Sequence, residues 1–160
     1  MADQKPPRLA GGERETLQAL LQYQRDSLVR KVTGLDDQVA RRSPVGSGTT
    51  LLWLVEHMAH AESIWILRRF AGLETELAGD TVAPEDTLRD AVAAYRRTWE
   101  QVDAVVASAP SLDEGCRRAG PSSDPPVNLR WVLIHLLEET ARHAGHADIL
   151  RELIDGHTGR

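Results

Sequence analysis

Cysteine is nearly absent from this chain of 160 residues, where Cys116 stands alone. A lone thiol forms no intramolecular disulfide, so the fold does not depend on an oxidising compartment. Long apolar runs are missing as well. No uninterrupted stretch approaches the roughly 20 residues that span a bilayer. The polar, Pro- and Gly-containing start from Met1 to Gly12 lacks the apolar core of a signal peptide. A cytoplasmic chain with no membrane partner is expected. Basic excess is lacking too: 19 Lys and Arg against 24 Asp and Glu give a formal net charge of -5. That balance leaves no broad positive field for nucleic acid. Strand signals are also wanting, with neither sustained period-two alternation nor paired hairpin turns.

What the chain does carry is helical periodicity, in four segments. The first runs from about Glu13 to Val32, with Leu17, Leu20, Leu21, Gln24 and Leu28 on one stripe and Gly34 as its stop. The second runs from about Thr49 to Ala71, after Ser47, Thr49 and Thr50 as candidate N-caps, and closes at Gly72. The third opens at Pro84-Glu85-Asp86, where proline and acids suit a first turn, and stops before Pro110. The fourth extends from near Asn128 through Leu153 to Gly156. Gly34 to Gly48 and Pro110 to Val127 read as long connections across bundle ends. Length and hydrophobic content (41%) suit a single core. An all-α four-helix bundle is expected over residues 13–156, with a disordered or poorly ordered N-terminal tail at 1–12 and a C-terminal tail at 157–160.

Five of the six histidines fall within the second and fourth segments, and His157 lies in the tail. At roughly 100° per residue, His135, Glu139, His143 and His146 share a sector with Ile149, Leu150 and Leu153. His57 shares its own sector with Trp53, Leu54, Ala61 and Ile64, with His60 toward one edge and Glu56 and Glu62 further around. These sectors are expected to face the core. Burying imidazole and carboxylate groups is costly unless they are paired or bound to metal. Glu139 and His143, at i and i+4, can chelate from one helix, and His57 can close the set from a facing one. The plainer alternatives are hydrogen-bonded core histidines and ordinary helix-surface pairing of Glu139 with Arg142 or His143. No His-Glu-x-x-His, Cys-x-x-Cys or paired Glu-x-x-His element is present, so a single-metal site is preferred to a di-iron one. Cys116 reads as incidental. Trp53, Trp65, Trp99 and Trp131 read first as core, and the pairs Arg68-Arg69 and Arg117-Arg118 as solvated.

The string Glu139-Thr-Ala-Arg-His143-Ala-Gly-His146-Ala-Asp-Ile-Leu-Arg151-Glu152 resembles the last helix of the DinB/YfiT-like superfamily, closest to its mycothiol S-transferase branch. Leu52 to Glu62 is similar to that branch's second helix. The resemblance implies a bundle in up-down-down-up order with one divalent metal ion between helices two and four. Many members use three histidines there. The matching positions here are His57, Glu139 and His143, with glutamate in the middle as in the mycothiol-dependent maleylpyruvate isomerase branch. His146 stands where many relatives carry glutamine. Two histidines and a carboxylate leave an open coordination position, the pattern of catalytic zinc, although such ligands also accept nickel, iron or manganese.

The expected activity is metal-dependent transfer of a low-molecular-weight thiol such as mycothiol to an electrophilic small molecule. His60 and His146 are the candidate catalytic side chains, and His135 is a further imidazole for proton transfer or substrate binding. A different metal-dependent isomerase or hydrolase, or a non-enzymatic metal- or ligand-binding stress protein, stands as the alternative. Apolar helix faces leave homodimerisation open.

Overall fold

The computed structural model describes residues 4–75, 81–120 and 124–158. Its long elements are α1 (Glu13–Val32), α3 (Leu51–Glu62), which continues as a π-helix over Ser63–Phe70, α4 (Leu88–Ser108) and α5 (Leu129–Asp155). A single helical turn, α2 (Asp37–Ala40), lies in the first connection. Among the described residues the only extended pairing is an isolated antiparallel bridge, Gly115 with Asn128. No described helix is long and apolar enough to cross a membrane.

Helix starts follow side-chain chemistry. Thr50, Thr87 and Asn128 each accept the backbone N–H three residues on, satisfying donors that the first turn leaves unpaired. The expected opening of α4 at Pro84-Glu85-Asp86 is therefore corrected to Leu88. Asp86 instead closes a local turn, its carboxylate accepting from Ala83 N and its own N–H donating to Ala83 O at 3.2 Å. The second segment also departs from expectation, because regular α-helix ends at Glu62 and a wider i→i+5 spiral carries the chain to Phe70. Both ends of that spiral are held. Glu62 is gripped inside the bundle, while Phe70 O and Arg69 O accept from Arg117 N and Arg118 N at 3.2 and 2.9 Å.

Packing fixes the direction of each helix. Leu28, Val29 and Val32 at the end of α1 join Leu51–Ala59 of α3, Leu88–Trp99 of α4, and Ala147 and Leu150 near the end of α5. Leu21, earlier in α1, joins Ile66–Phe70, Val102, Val106 and the start of α5. So α1 and α5 run together and α3 and α4 run against them, which is the expected up-down-down-up bundle. Arg151 of α5 reinforces the parallel pair, donating to the last carbonyls of α1, Lys31 O at 2.7 Å and Thr33 O at 3.2 Å. A cation there also suits the negative end of the helix dipole.

Between the two apolar clusters lies a polar layer. Arg25 of α1 donates through Nε and Nη2 to both oxygens of Glu62 at 3.0 and 2.6 Å, and through Nη1 to Asp103 of α4 at 2.9 Å. The Tyr95 hydroxyl donates to Glu62 at 3.0 Å. Glu62 is fully enclosed and Arg25 is 1% exposed. This corrects the expected placement of Glu62 outside the core-facing sector. The buried residues of α3 are Leu51, Leu52, Leu54, Val55, Met58, Ala59 and Glu62. On a helical wheel Glu62 falls at about the middle of that arc, and His57 about 140° away from it. A bundle helix touches several neighbours, so its buried arc is broad. The Trp53–His57 stripe is only the border facing α5.

Two consequences are measurable. Glu62→Ala leaves a buried guanidinium without its main partner and should lower unfolding free energy by about 3–5 kcal/mol in urea denaturation. The paired apolar replacement Arg25→Met with Glu62→Leu should recover most of that loss. Glu56 behaves differently: burial first, and then the neighbouring Asp86 carboxylate, push its pKa up to about 7 against a smaller opposing effect of Arg41. In the unfolded chain it ionises near its ordinary value of 4.5. The unfolded state thus releases this proton first, and stability falls as pH rises between those two values. Denaturation of metal-free protein across pH should show Glu56→Gln gaining on the wild type through that window and holding a constant difference above it.

Candidate metal centre

His57, on the α5-facing border of α3, meets Glu139 and His143 of α5, so that one donor atom from each lies within 4.8 Å of the others. Glu139 Oε1 stands 3.5 Å from His57 Nε2 and 3.2 Å from His143 Nε2. A tetrahedral zinc ion with bonds near 2.0–2.1 Å separates its ligands by about 3.3 Å. Those two separations are close to tetrahedral edges, the two histidines lie within 4.8 Å of each other, and two imidazoles with a carboxylate are a donor set that zinc accepts.

The sequence-based sector needs correction. The buried face of α5 is formed by Leu129, Val132, Leu133, Leu136, Thr140, His143, Ala144, Ala147, Leu150 and Arg151. Ile149 and Leu153 are exposed, at 57% and 56%. His143 is therefore inside the bundle face, Glu139 at its edge and His146 outside it. The three donors line the seam where α3 meets α5, with the side chains of His57 and Glu139 19% and 21% exposed. A seam of this kind holds the ligands and leaves one side reachable by a solute.

Aromatic and imidazole neighbours fix the donors. Trp53 stacks on His57 with ring centroids 4.7 Å apart, one helical turn before it, a pairing that i, i+4 spacing offers but does not announce. His143 Nδ1 lies 3.3 Å from His146 Nδ1. When His143 presents its Nε2 lone pair to a metal, its Nδ1–H donates to His146 Nδ1, which sets the tautomers of both rings. Burial raises the Glu139 pKa, but the hydrogen bond and charge of His143, followed by His57, outweigh it and hold the carboxyl below its ordinary range. Burial, and next the adjacent His57, hold His143 below the ordinary histidine value despite the opposing effect of Glu139. At neutral pH the carboxylate is charged and the His143 ring is neutral, the forms that bind metal.

The remaining histidines are not in the cluster. His60 lies half-buried, three residues on from His57. His135 stacks on Trp131 at 5.0 Å and meets the edge of Trp65 at 4.7 Å, a turn before Glu139. Trp131 is 45% exposed, which corrects its reading as core, whereas Trp99 is buried. Arg69 lies over the Trp65 ring at 4.0 Å and is not simply solvated. Burial pushes the Cys116 thiol up, with Arg69 only partly offsetting it, so this cysteine stays protonated and is a poor nucleophile.

Comparison with known proteins bears on both fold and family. The chain is similar to a conserved protein from Enterococcus faecalis whose crystal structure is known. The TM-score is 0.70 at 15% identity, covering 92% of this chain and 100% of that one. At that identity the likeness speaks for the bundle alone. No curated protein matches at a significant level. A family profile described as Mycothiol-S-transferase, however, matches residues 16–156. With the match spanning nearly its whole length, the chain belongs to the mycothiol S-transferase family.

Proposed function

We propose that this protein is a zinc-dependent S-transferase that joins the sulfur of a low-molecular-weight thiol, mycothiol by family, to an electrophilic carbon. The observation that carries the reading is the three-donor seam of His57, Glu139 and His143, whose donor atoms lie within 4.8 Å of one another, with Glu139 near a tetrahedral edge from each histidine. A bound zinc ion supplies positive charge that favours thiolate over thiol at neutral pH. The protein's own groups do the rest. Glu139 and His143 offer metal-ready protonation states, and Trp53 and His146 hold the ring planes of His57 and His143. Of the two candidate imidazoles beside the cluster, His60 on α3 is the one proposed to take up the thiol proton, because the Nδ1 lone pair of His146 on α5 is engaged by His143. In substitution, a carbon–sulfur bond forms, the leaving group departs with its bonding pair, and that proton passes through imidazole to water. Because the cluster draws on no cysteine, the thiol must come from the co-substrate. In the cytoplasm, where the chain is proposed to act, this transfer would conjugate small electrophiles.

Elemental mass spectrometry of tag-free protein should find about one zinc ion per chain. Glu139→Ala and His143→Ala should lose it while keeping their helical circular dichroism. Consumption of mycothiol with chlorodinitrobenzene should stop in chelator and return with zinc. Absence of metal-dependent turnover with any cellular thiol overturns the reading, and turnover without thiol points to a hydrolase or isomerase instead. His146→Ala should weaken zinc binding by about tenfold, since the partner of a metal-bound histidine commonly contributes on that scale. His146→Gln should lose less, because an amide oxygen can accept from His143 Nδ1–H.

A further inference from the structure

We infer that the cleft formed by Val45, Ser47, Thr49, His146, Ile149 and Leu150 is the electrophile subsite, and that it takes an uncharged, largely apolar electrophile bearing a carbonyl or nitro oxygen. The inference rests on the transferase reading and names the substrate class of the same site.

Position is the first argument. The cleft encloses about 440 Å³ between the loop before α3 and the second half of α5. His146 forms part of its wall and lies 3.3 Å, nitrogen to nitrogen, from the metal-ligating candidate His143. A molecule seated there is one imidazole away from the cluster. A larger cleft of about 700 Å³, between the end of α1 and the start of α4, contains none of the cluster residues.

Lining chemistry selects the occupant. None of the six residues is Lys, Arg, Asp or Glu. A carboxylate or phosphate entering this space would leave water without a Lys or Arg in the lining to pair with it. Val45, Ile149 and Leu150 offer apolar surface instead, and the exposed position of Ile149 is accounted for if it forms one wall of a binding cleft. The polar component is a hydroxyl pair, Ser47 Oγ and Thr49 Oγ1, 3.0 Å apart. Their mutual bond uses one hydrogen and leaves the other to donate. The turn closed by Gly48 N on Val45 O at 3.2 Å, with Gly48 at φ 78, presents both hydroxyls from one short loop. A carbonyl or nitro oxygen conjugated to the attacked carbon is the matching acceptor. Such a substituent also takes up negative charge as the carbon–sulfur bond forms.

With chlorodinitrobenzene the step balances: thiolate sulfur bonds to the ring carbon, the carbon–chlorine pair leaves as chloride, and the thiol proton goes to solvent. Binding can be read without chemistry by titrating the zinc-loaded full chain with meta-dinitrobenzene, which has no leaving group, and following amide shifts by NMR. Shifts should centre on Val45, Ser47, Thr49, Ile149 and Leu150, and dinitrobenzoate should bind at least about tenfold more weakly. Ile149→Lys, a surface change that the fold tolerates, should reverse that preference. Thr49→Val should weaken both nitroarenes and leave the preference between them unchanged.

In turnover, Ile149→Lys should raise KM for chlorodinitrobenzene while leaving zinc content and the KM for thiol unchanged. Shifts confined to another part of the molecule, equal binding of the carboxylated probe, or an electrophile KM indifferent to Ile149→Lys overturn the assignment. Binding in the cleft without any thiol turnover overturns the transferase reading and, with it, the role as electrophile subsite, leaving a small-molecule pocket. Turnover with an unaffected electrophile KM overturns the subsite while the transferase reading stands.

Discussion

A guanidinium and a carboxylate are tolerated at the centre of this bundle because each satisfies the other. Arg25 and Glu62 are both enclosed, bonded through two parallel hydrogen bonds, with Asp103 and Tyr95 taking up remaining valences. Such pairs contribute little net stability compared with apolar side chains of the same volume, but they are unforgiving about geometry. The pair ties α1 to α3 at one height and one rotation, with α4 drawn in by Asp103. The apolar clusters above and below then pack on a frame whose angular setting is already determined.

The metal seam inherits that setting. With Glu62 aimed at the bundle axis, residues about 140° around α3 must lie at its border. That border is where Trp53 and His57 meet α5. Glu139 and His143 arrive there because α5 runs parallel to α1 and is held to its end by Arg151. A centre at a helix seam is half enclosed, so its carboxylate and imidazoles feel enough burial to have their protonation shaped by one another. It also keeps a side that a solute can reach. The polar layer and the candidate metal donors are thus two readouts of one rotation, one turned inward and one toward a neighbour.

Much of this was legible in the residues. Four apolar periodicities specify four helices, and the spacing of Glu139 and His143 with an opposing His57 specifies the donors that the structure brings within reach of one ion. What escaped was the phase of each helix. Periodicity points to one stripe on each of α3 and α5, whereas bundle helices bury broad arcs. Glu62 was consequently placed away from the core it centres, and Ile149 and Leu153 inside a core they do not enter. Arg25 gave no sign at all, since a charged side chain on a mostly polar helix normally denotes a wetted face. The start of α4 was displaced because Pro84-Glu85-Asp86 has first-turn composition, yet Asp86 closes a turn of its own and Thr87 provides the cap. The cleft beside His146 also escaped notice, because it is assembled from a loop and a helix about 100 residues apart, a juxtaposition that only tertiary packing creates.

The π-helical stretch between Glu62 and Phe70 has a meaning in chain length. Its two ends are pinned, one by Arg25 and the other by the backbone of Arg117 and Arg118, and a wider spiral uses more residues for the same advance. The segment therefore stores slack. The pitch changes from Ser63 onward, on the far side of Glu62 from His57. The change of pitch after Glu62 thus separates the register of Trp65 and Arg69 from that of His57 within one continuous stretch of chain.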